Sequence, residues 1–392
     1  MPSVTPDPKN IPESTSYANV ISTFQLRDIH LKNRLFFAPM GLDLANRDGT
    51  FSDEMQEFYD GIAEGGCGLI VLSNATVSPD SILQPNGLRL YEPFHAESLR
   101  AMIASARECD VEVGIQLQHY GGQGVTTYTK GKELLTPSGV ASELLKRKDS
   151  RYRVREMTQE DIDLVKGQFV HSALLAEWAG ARLIQLQASN GYLLSSFLSP
   201  HTNQRKDVYG GNAISRARLL IELVAEIREK LKPSTLLSIR LGVDDCLETG
   251  GSVPEDFKDV IPLLEQAGID LIEVSVCIAE TFSKLTNVTD DMRELIKKHA
   301  KTIKGFSRVP VGFAGLVRSL EEAEQIVANG EADFVGMARA LFADNDLIRK
   351  TLEGRRDEIN WCLWDGKCFK DKHNPRFQRV YCCVNPKYRR PE

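Results

Sequence analysis

Apolar residues recur in this chain as short, nearly unbroken runs at 34–40, 68–74, 111–117, 181–187, 236–241, 269–275, 309–314 and 333–337. Runs of this length and composition predict strands buried on both faces, not the in-out alternation of a half-exposed antiparallel sheet. Between them lie stretches at 53–64, 96–108, 158–178, 213–231, 254–266 and 320–328 whose apolar positions are spaced for one face of a helix. Ser52, Thr158 and Ser319 stand where N-caps are needed. Glu322 follows Ser319, and Asp161 follows Thr158, at capping-box spacing, with the shorter Asp161 giving the weaker reach. Eight strands alternating with helices predict a parallel sheet covered on its outer face, and the simplest closed solution is a single (β/α)8 TIM barrel of the α/β class. An open doubly wound sheet is the rival; it is disfavoured because no Gly-x-Gly-x-x-Gly follows the first strand.

The alternation is interrupted twice. Residues 120–158 separate strand three from its helix and carry the polar run 145–153, which predicts a surface excursion or lid. The tail from Trp361 onward is the second interruption. Residues 1–20, rich in Pro and Ser and without periodicity, read as a flexible arm. The expected organisation is therefore an arm at 1–20, a barrel at 21–360, and a C-terminal extension at 361–392 packing on the barrel.

Charge narrows the function. A net charge of -6 with no basic stripe argues against nucleic acid or an anionic membrane as partner, leaving small-molecule chemistry. No signal-peptide core and no run of about 18 apolar residues occurs, so a cytoplasmic protein is expected. Eight cysteines in 392 residues do not make a disulfide framework, and Cys67, Cys109, Cys246 and Cys277 read as small buried hydrophobes.

Barrel enzymes collect their chemistry at the C-terminal strand ends. Here strand one runs into Pro39, Met40 and Gly41, small enough for a flat ligand to lie against backbone. Strand two ends in Ser73-Asn-Ala-Thr, and strand three in Gln116-Leu-Gln-His119. Strand four gives Gln187 and breaks at Asn190-Gly191, bringing two amides and the phenol of Tyr192 out together. Strand five ends in Arg240, a permanent cation that is costly to bury without an anionic partner. Strands seven and eight run into Gly315 and into Ala338-Arg339, backbone donors plus a guanidinium suited to a phosphate. A planar heterocycle with amide edges, one negative end and a phosphate is flavin mononucleotide.

The residues Asn33-Arg34, Ala38-Pro39-Met40, Asn190-Gly-Tyr-Leu-Leu, Phe197-Leu-Ser-Pro, Asn203, Arg205 and Asp207-Val-Tyr-Gly-Gly resemble the Old Yellow Enzyme group of FMN-dependent ene-reductases, across roughly residues 24 to 390. The resemblance implies that Pro39, Met40, Ala75, Gln116 and Arg240 hold the isoalloxazine, while Gly315, Ala338 and Arg339 take the phosphate. It also implies Tyr192 as proton donor, with Gln187 and Asn190 binding a substrate oxygen. NADPH or NADH would reduce the flavin at N5, and an α,β-unsaturated carbonyl compound would then accept the hydride in a ping-pong cycle. Barrel exteriors in this group associate in several ways, and a homodimer is the expectation.

Three positions depart from the group's pattern. Gln187 stands where His is usual, and a neutral amide should stabilise an oxyanion less well by about 1 to 3 kcal/mol. Gly41 stands where many relatives have Thr or Cys against the flavin. Cys362, Cys368, Cys382 and Cys383 resemble an iron–sulfur segment of larger relatives, but Asp365 replaces one cysteine. A reduced, metal-free tail packing near the flavin phosphate is expected there; the alternatives are a cluster, or a zinc site that includes His373. Flavin-dependent isomerisation or oxidation of a specialised metabolite, or a non-catalytic flavin-binding barrel, are the alternatives to ene reduction.

Overall fold

The computed structural model describes residues 16–390 apart from 130, 373, 375 and 378. A hairpin of β1 (Phe24–Leu26) and β2 (Ile29–Leu31) precedes β3 (Leu35–Phe37), β4 (Leu69–Thr76) and β5 (Glu112–Gln118). Then come β6 (Leu134–Thr136), β7 (Val154–Glu156), β8 (Leu183–Ala188), β9 (Leu236–Gly242), β10 (Leu271–Ser275), β11 (Val311–Phe313) and β12 (Phe334–Met337). All eight apolar runs become strands of one closed barrel, in the order β3-β4-β5-β8-β9-β10-β11-β12. Every neighbouring pair in it is parallel.

The hairpin plugs the N-terminal end of this barrel. Phe24, Leu26, Ile29 and Leu31 pack with Phe36, Leu69, Leu183, Leu236, Leu271 and Phe334 in a cluster of their own. With that end filled by side chains, the other end is left for chemistry. The described part of the expected arm is tied down, contrary to expectation: the Tyr17 hydroxyl donates to Glu321 (2.6 Å), the Val20 amide donates to Glu324 (2.8 Å), and Val20 is fully buried. Residues 1–15 of that arm lie outside the described residues.

Helices form over the capped amphipathic stretches, one of them divided, and further helices, mostly short, lie beyond them. The stretch 254–266 splits into a 3-10 turn, Pro254–Phe257, and a helix, Val260–Ala267. A further helix, Asp290–Phe306, was missed because its charged residues outnumber the Met292, Ile296, Ala300 and Ile303 stripe that it buries. The capping boxes also exchange rank. Thr158 and Asp161 bond each other's backbone amides, whereas Glu322 accepts from the Arg318 amide (2.9 Å), drawn there by the Arg318 guanidinium.

The excursion after β5 is ordered, as a parallel β6–β7 pair and a short helix, Glu143–Lys148. Arg205 clips it to the loop after β8, donating to the carbonyls of Pro137 (2.5 Å) and Met157 (2.8 Å) while pairing with Asp207. Asn203 braces the same loop by donating to Phe197 and Tyr209 carbonyls, both 2.7 Å away. These residues thus serve the shape of the mouth.

Asp161 is hydrogen-bonded by Arg155 and by the Thr158 cap, and its pKa falls to about 2. A depressed carboxylate stabilises the fold above its unfolded value of about 3.9, and loses that contribution as pH drops through the folded value. Asp161→Asn should therefore be less stable than wild type in urea unfolding at neutral pH. The difference should shrink between about pH 4 and pH 2; a gap that stays constant over this window would contradict the account.

Candidate active site

Side chains in register across β8, β9 and β10 build the floor of the open end. Gln187, Arg240 and Glu273 are direct neighbours in one row. Glu273 is fully buried and lies 3.4 Å from the Arg240 guanidinium. Burial pushes the Glu273 pKa up, while Arg240 and Gln185 pull it down. Gln185 donates to Glu273 (2.9 Å) and accepts from Gln116 (2.7 Å), so a polar chain runs from β5 to β10 inside the barrel. The costly cation anticipated at Arg240 has its counter-charge in Glu273, a residue the sequence reading passed over because it sits within an otherwise apolar run.

Above this floor is a cavity of about 240 Å³. Pro39, Met40, Gly41, Gln116, Gln187, Asn190, Tyr192, Arg240, Gly315, Ala338 and Arg339 all line it. Of the residues expected at the site only Ala75 does not; it is fully buried in the core, and its neighbour Asn74 takes the place on the wall. The β4–β5 register shifts between Leu72 and Ala75, where Asn74 turns to the wall. Asn74 donates to Gln118 (2.7 Å) and to the Tyr120 hydroxyl (3.2 Å).

The loop after β8 is fixed by its own polar groups. Asn190 adopts φ 59°, a left-handed conformation that Asn tolerates, and this turns the chain sharply out of the strand. The Gln187 carbonyl oxygen accepts from the Ser189 amide (3.2 Å) and hydroxyl (2.6 Å). Because a backbone amide can only donate, the Gln187 oxygen faces Ser189 and its –NH2 is the other end, for which no acceptor stands among the described residues. Asn190 is more fully engaged. Its –NH2 donates to the Val276 carbonyl (3.0 Å), and its oxygen accepts from Ser189 (3.0 Å). Tyr192 packs edge-on against Tyr120, with ring centroids 5.5 Å apart. Burial raises the Tyr192 pKa; Lys372, Gln118 and Arg240 oppose the shift, and Asp43 reinforces it. His119 is buried off the wall, accepting from the Gly121 amide (3.1 Å), and burial lowers its pKa to about 4. It is a structural histidine.

The cover comes from an unexpected direction. None of the described excursion residues 121–157 lines the cavity, whereas Trp364, Gly366, Cys368, Phe369, Lys372 and Val380 of the tail do. Phe369 stacks near Phe282 from the loop after β10, with centroids 5.1 Å apart. Trp364 lies over the Arg339 guanidinium at 4.6 Å. Cys362, Cys368, Cys382, Cys383 and Asp365 gather behind Arg339 around a second, much smaller hollow. Among the described residues no group of three or more His, Cys, Asp or Glu is placed to hold a metal ion, and His373 lies outside them.

Several features fit a flavin mononucleotide. Arg339 lines the cavity and has no carboxylate within ion-pair distance among the described residues. Burial depresses the Arg339 pKa, as expected of a cation awaiting an anion. Gly315 comes so close to Ile296 that a Cβ there would meet it at 2.7 Å, so backbone alone forms that wall. Cations at two ends of a cavity walled by Pro39, Met40 and Ala314 match a ligand with a flat ring and a phosphate.

The model of the NADH:flavin oxidoreductase / NADH oxidase family matches residues 21–358. An NADH oxidase of Thermoanaerobacter brockii is 31% identical over 95% of this chain, and the chain spans 56% of that protein. An NADPH dehydrogenase of Geobacillus thermodenitrificans is 28% identical over 82% of this chain and 90% of its own length. The solved structure of a 2-naphthoyl-CoA reductase complex superposes with a TM-score of 0.85 at 25% identity, covering 95% of this chain and 58% of the other. The chain therefore spans little more than half of the first of these relatives.

Replacing Arg339 with Met should weaken FMN binding about ten- to a hundredfold, the worth of a charge-assisted hydrogen bond. Fluorescence titration of the apoprotein measures this. An unchanged Kd would remove Arg339 from the phosphate end.

Proposed function

The chain belongs to the NADH:flavin oxidoreductase / NADH oxidase family, whose cofactors are FMN with NAD(P)H as reductant, and from this we propose that it reduces the activated carbon–carbon double bond of an α,β-unsaturated carbonyl or related compound. The observation that carries the reading is that Tyr192, the free amide of Gln187 and the Arg240 guanidinium line one cavity with Pro39 and Met40. Bound FMN supplies two-electron chemistry, accepting a hydride from NAD(P)H and donating one to the substrate.

The protein's own groups then have separate tasks. Arg240, held by Glu273, places a fixed positive charge beside the cavity where negative charge accumulates. Gln187 donates from its –NH2 to the substrate oxygen, an orientation enforced by Ser189. Asn190, with its –NH2 on the Val276 carbonyl, chiefly positions that donor and the Tyr192 backbone. A phenol is protonated at physiological pH and burial raises the Tyr192 pKa further, so its Oη holds the proton needed at the substrate Cα. Phe282, Phe369 and Trp364 exclude water from above.

Anaerobic turnover of enones, nitroolefins and maleimides with NADH and NADPH tests the reading. Wild type should reduce at least one class, and Tyr192→Phe should lower kcat by about 10² to 10⁴, the usual worth of a placed general acid, with little change in KM. Gln187→His should improve enone turnover by adding a chargeable donor. A wild-type protein that binds FMN, accepts electrons from NAD(P)H and reduces none of the panel would overturn the proposal.

A further inference from the structure

Gly41 ends the wall made by Pro39 and Met40 and brings no side chain to it. The space is nonetheless filled. A Cβ built at Gly41 would lie 2.4 Å from the Lys372 Nζ and 3.2 Å from the Asn74 Oδ1, so a side chain at position 41 would displace the Lys372 ammonium from its present place. Lys372 is at the end of the tail helix Lys367–Lys372 and reaches across to donate to the Gly41 carbonyl (3.1 Å) and to pair with Asp43 (3.1 Å). Both partners are close to the cavity, and Lys372 itself lines it.

We propose that Lys372 is the residue that tunes the flavin held where β3 ends, its ammonium standing in the space that a side chain at position 41 would occupy. The proposal rests on the FMN reading above. The ammonium donates to the Gly41 carbonyl and lies 3.1 Å from the Asp43 carboxylate, on the wall of the cavity. Asp43 is buried and takes φ 55°, a left-handed backbone that aims its carboxylate at the tail instead of along the chain. The carboxylate gives the half-buried ammonium an ionic partner at 3.1 Å. A fixed cation beside the ring favours the form that has gained electrons, so it raises the reduction potential. Tyr192 responds to the same charge, with Lys372 acting on it more strongly than Arg240 does. The tail thus delivers a polar group beside position 41, which has no side chain to supply one.

The test is the two-electron reduction potential of purified holoprotein against a reference dye. Lys372→Met should shift the equilibrium at least tenfold toward oxidised flavin, about 30 mV for a two-electron couple, and Lys372→Arg should recover most of the shift. Asp43→Asn, which the left-handed backbone accommodates, removes the ionic partner that holds the ammonium beside Gly41, so it should shift the potential in the same direction as Lys372→Met, by less. Should Lys372→Met fold poorly, Gly41→Ala gives a second route. It displaces the ammonium without changing residue 372, so it should shift the potential in the same direction as Lys372→Met. Combining the two should add little to either alone, in potential and in melting temperature. A Lys372→Met holoprotein with the wild-type potential, or additive Gly41→Ala and Lys372→Met effects, overturns the role of Lys372 while leaving the FMN reading intact. A wild-type protein that binds no FMN overturns both.

Discussion

Arg240 carries a permanent charge into the mouth of the barrel, and the chain of polar groups beneath it follows from the need to compensate that charge. Glu273 sits beside it in register, fully buried; Gln185 steadies Glu273, and Gln116 steadies Gln185. Removing one member would leave a buried charge or amide unpaired, which costs more than the interaction itself contributes. The ladder makes Arg240 rigid, and a rigid cation needs no reorganisation when negative charge develops next to it.

The same logic of committing one end of a polar group to free the other recurs around the cavity. Ser189 holds the Gln187 oxygen so that its –NH2 is presented. Asp43 and the Gly41 carbonyl hold Lys372. Trp364 covers Arg339 without neutralising it, since a ring face is a far weaker partner than a carboxylate. Three cations thus face one cavity, with counter-charges beside Arg240 and Lys372 and none beside Arg339. That distribution suits a ligand whose ring gains charge during the reaction and whose phosphate carries it throughout.

Much of this was legible in the chain. Buried parallel strands write themselves as continuous apolar runs, and the residue at each strand end must face the mouth, so Pro39, Gln116, Gln187, Arg240 and Arg339 could be named from position alone. The failures have local causes. Glu273 was hidden because its partner lies on a neighbouring strand, and no pattern within a strand reports its neighbours. Ala75 and Asn74 exchanged places at an irregular β4–β5 register. The long polar excursion reads as a surface excursion or a lid; Arg205 fastens it beside the loop after β8, and tail residues line the cavity.

By itself, then, the sequence determined the barrel, its strand ends and the capped helices that space them, because hydrophobic periodicity and cap chemistry act between residues close along the chain. It also determined that Gly41 lacks a side chain and that Gln187 cannot carry a charge. Only the tertiary structure decided what compensates for those features. Lys372 meets Gly41 across 331 positions of sequence, and Glu273 meets Arg240 through strand pairing. Both contacts arise from barrel closure and tail docking, which bring together side chains whose relation is invisible until the backbone has folded.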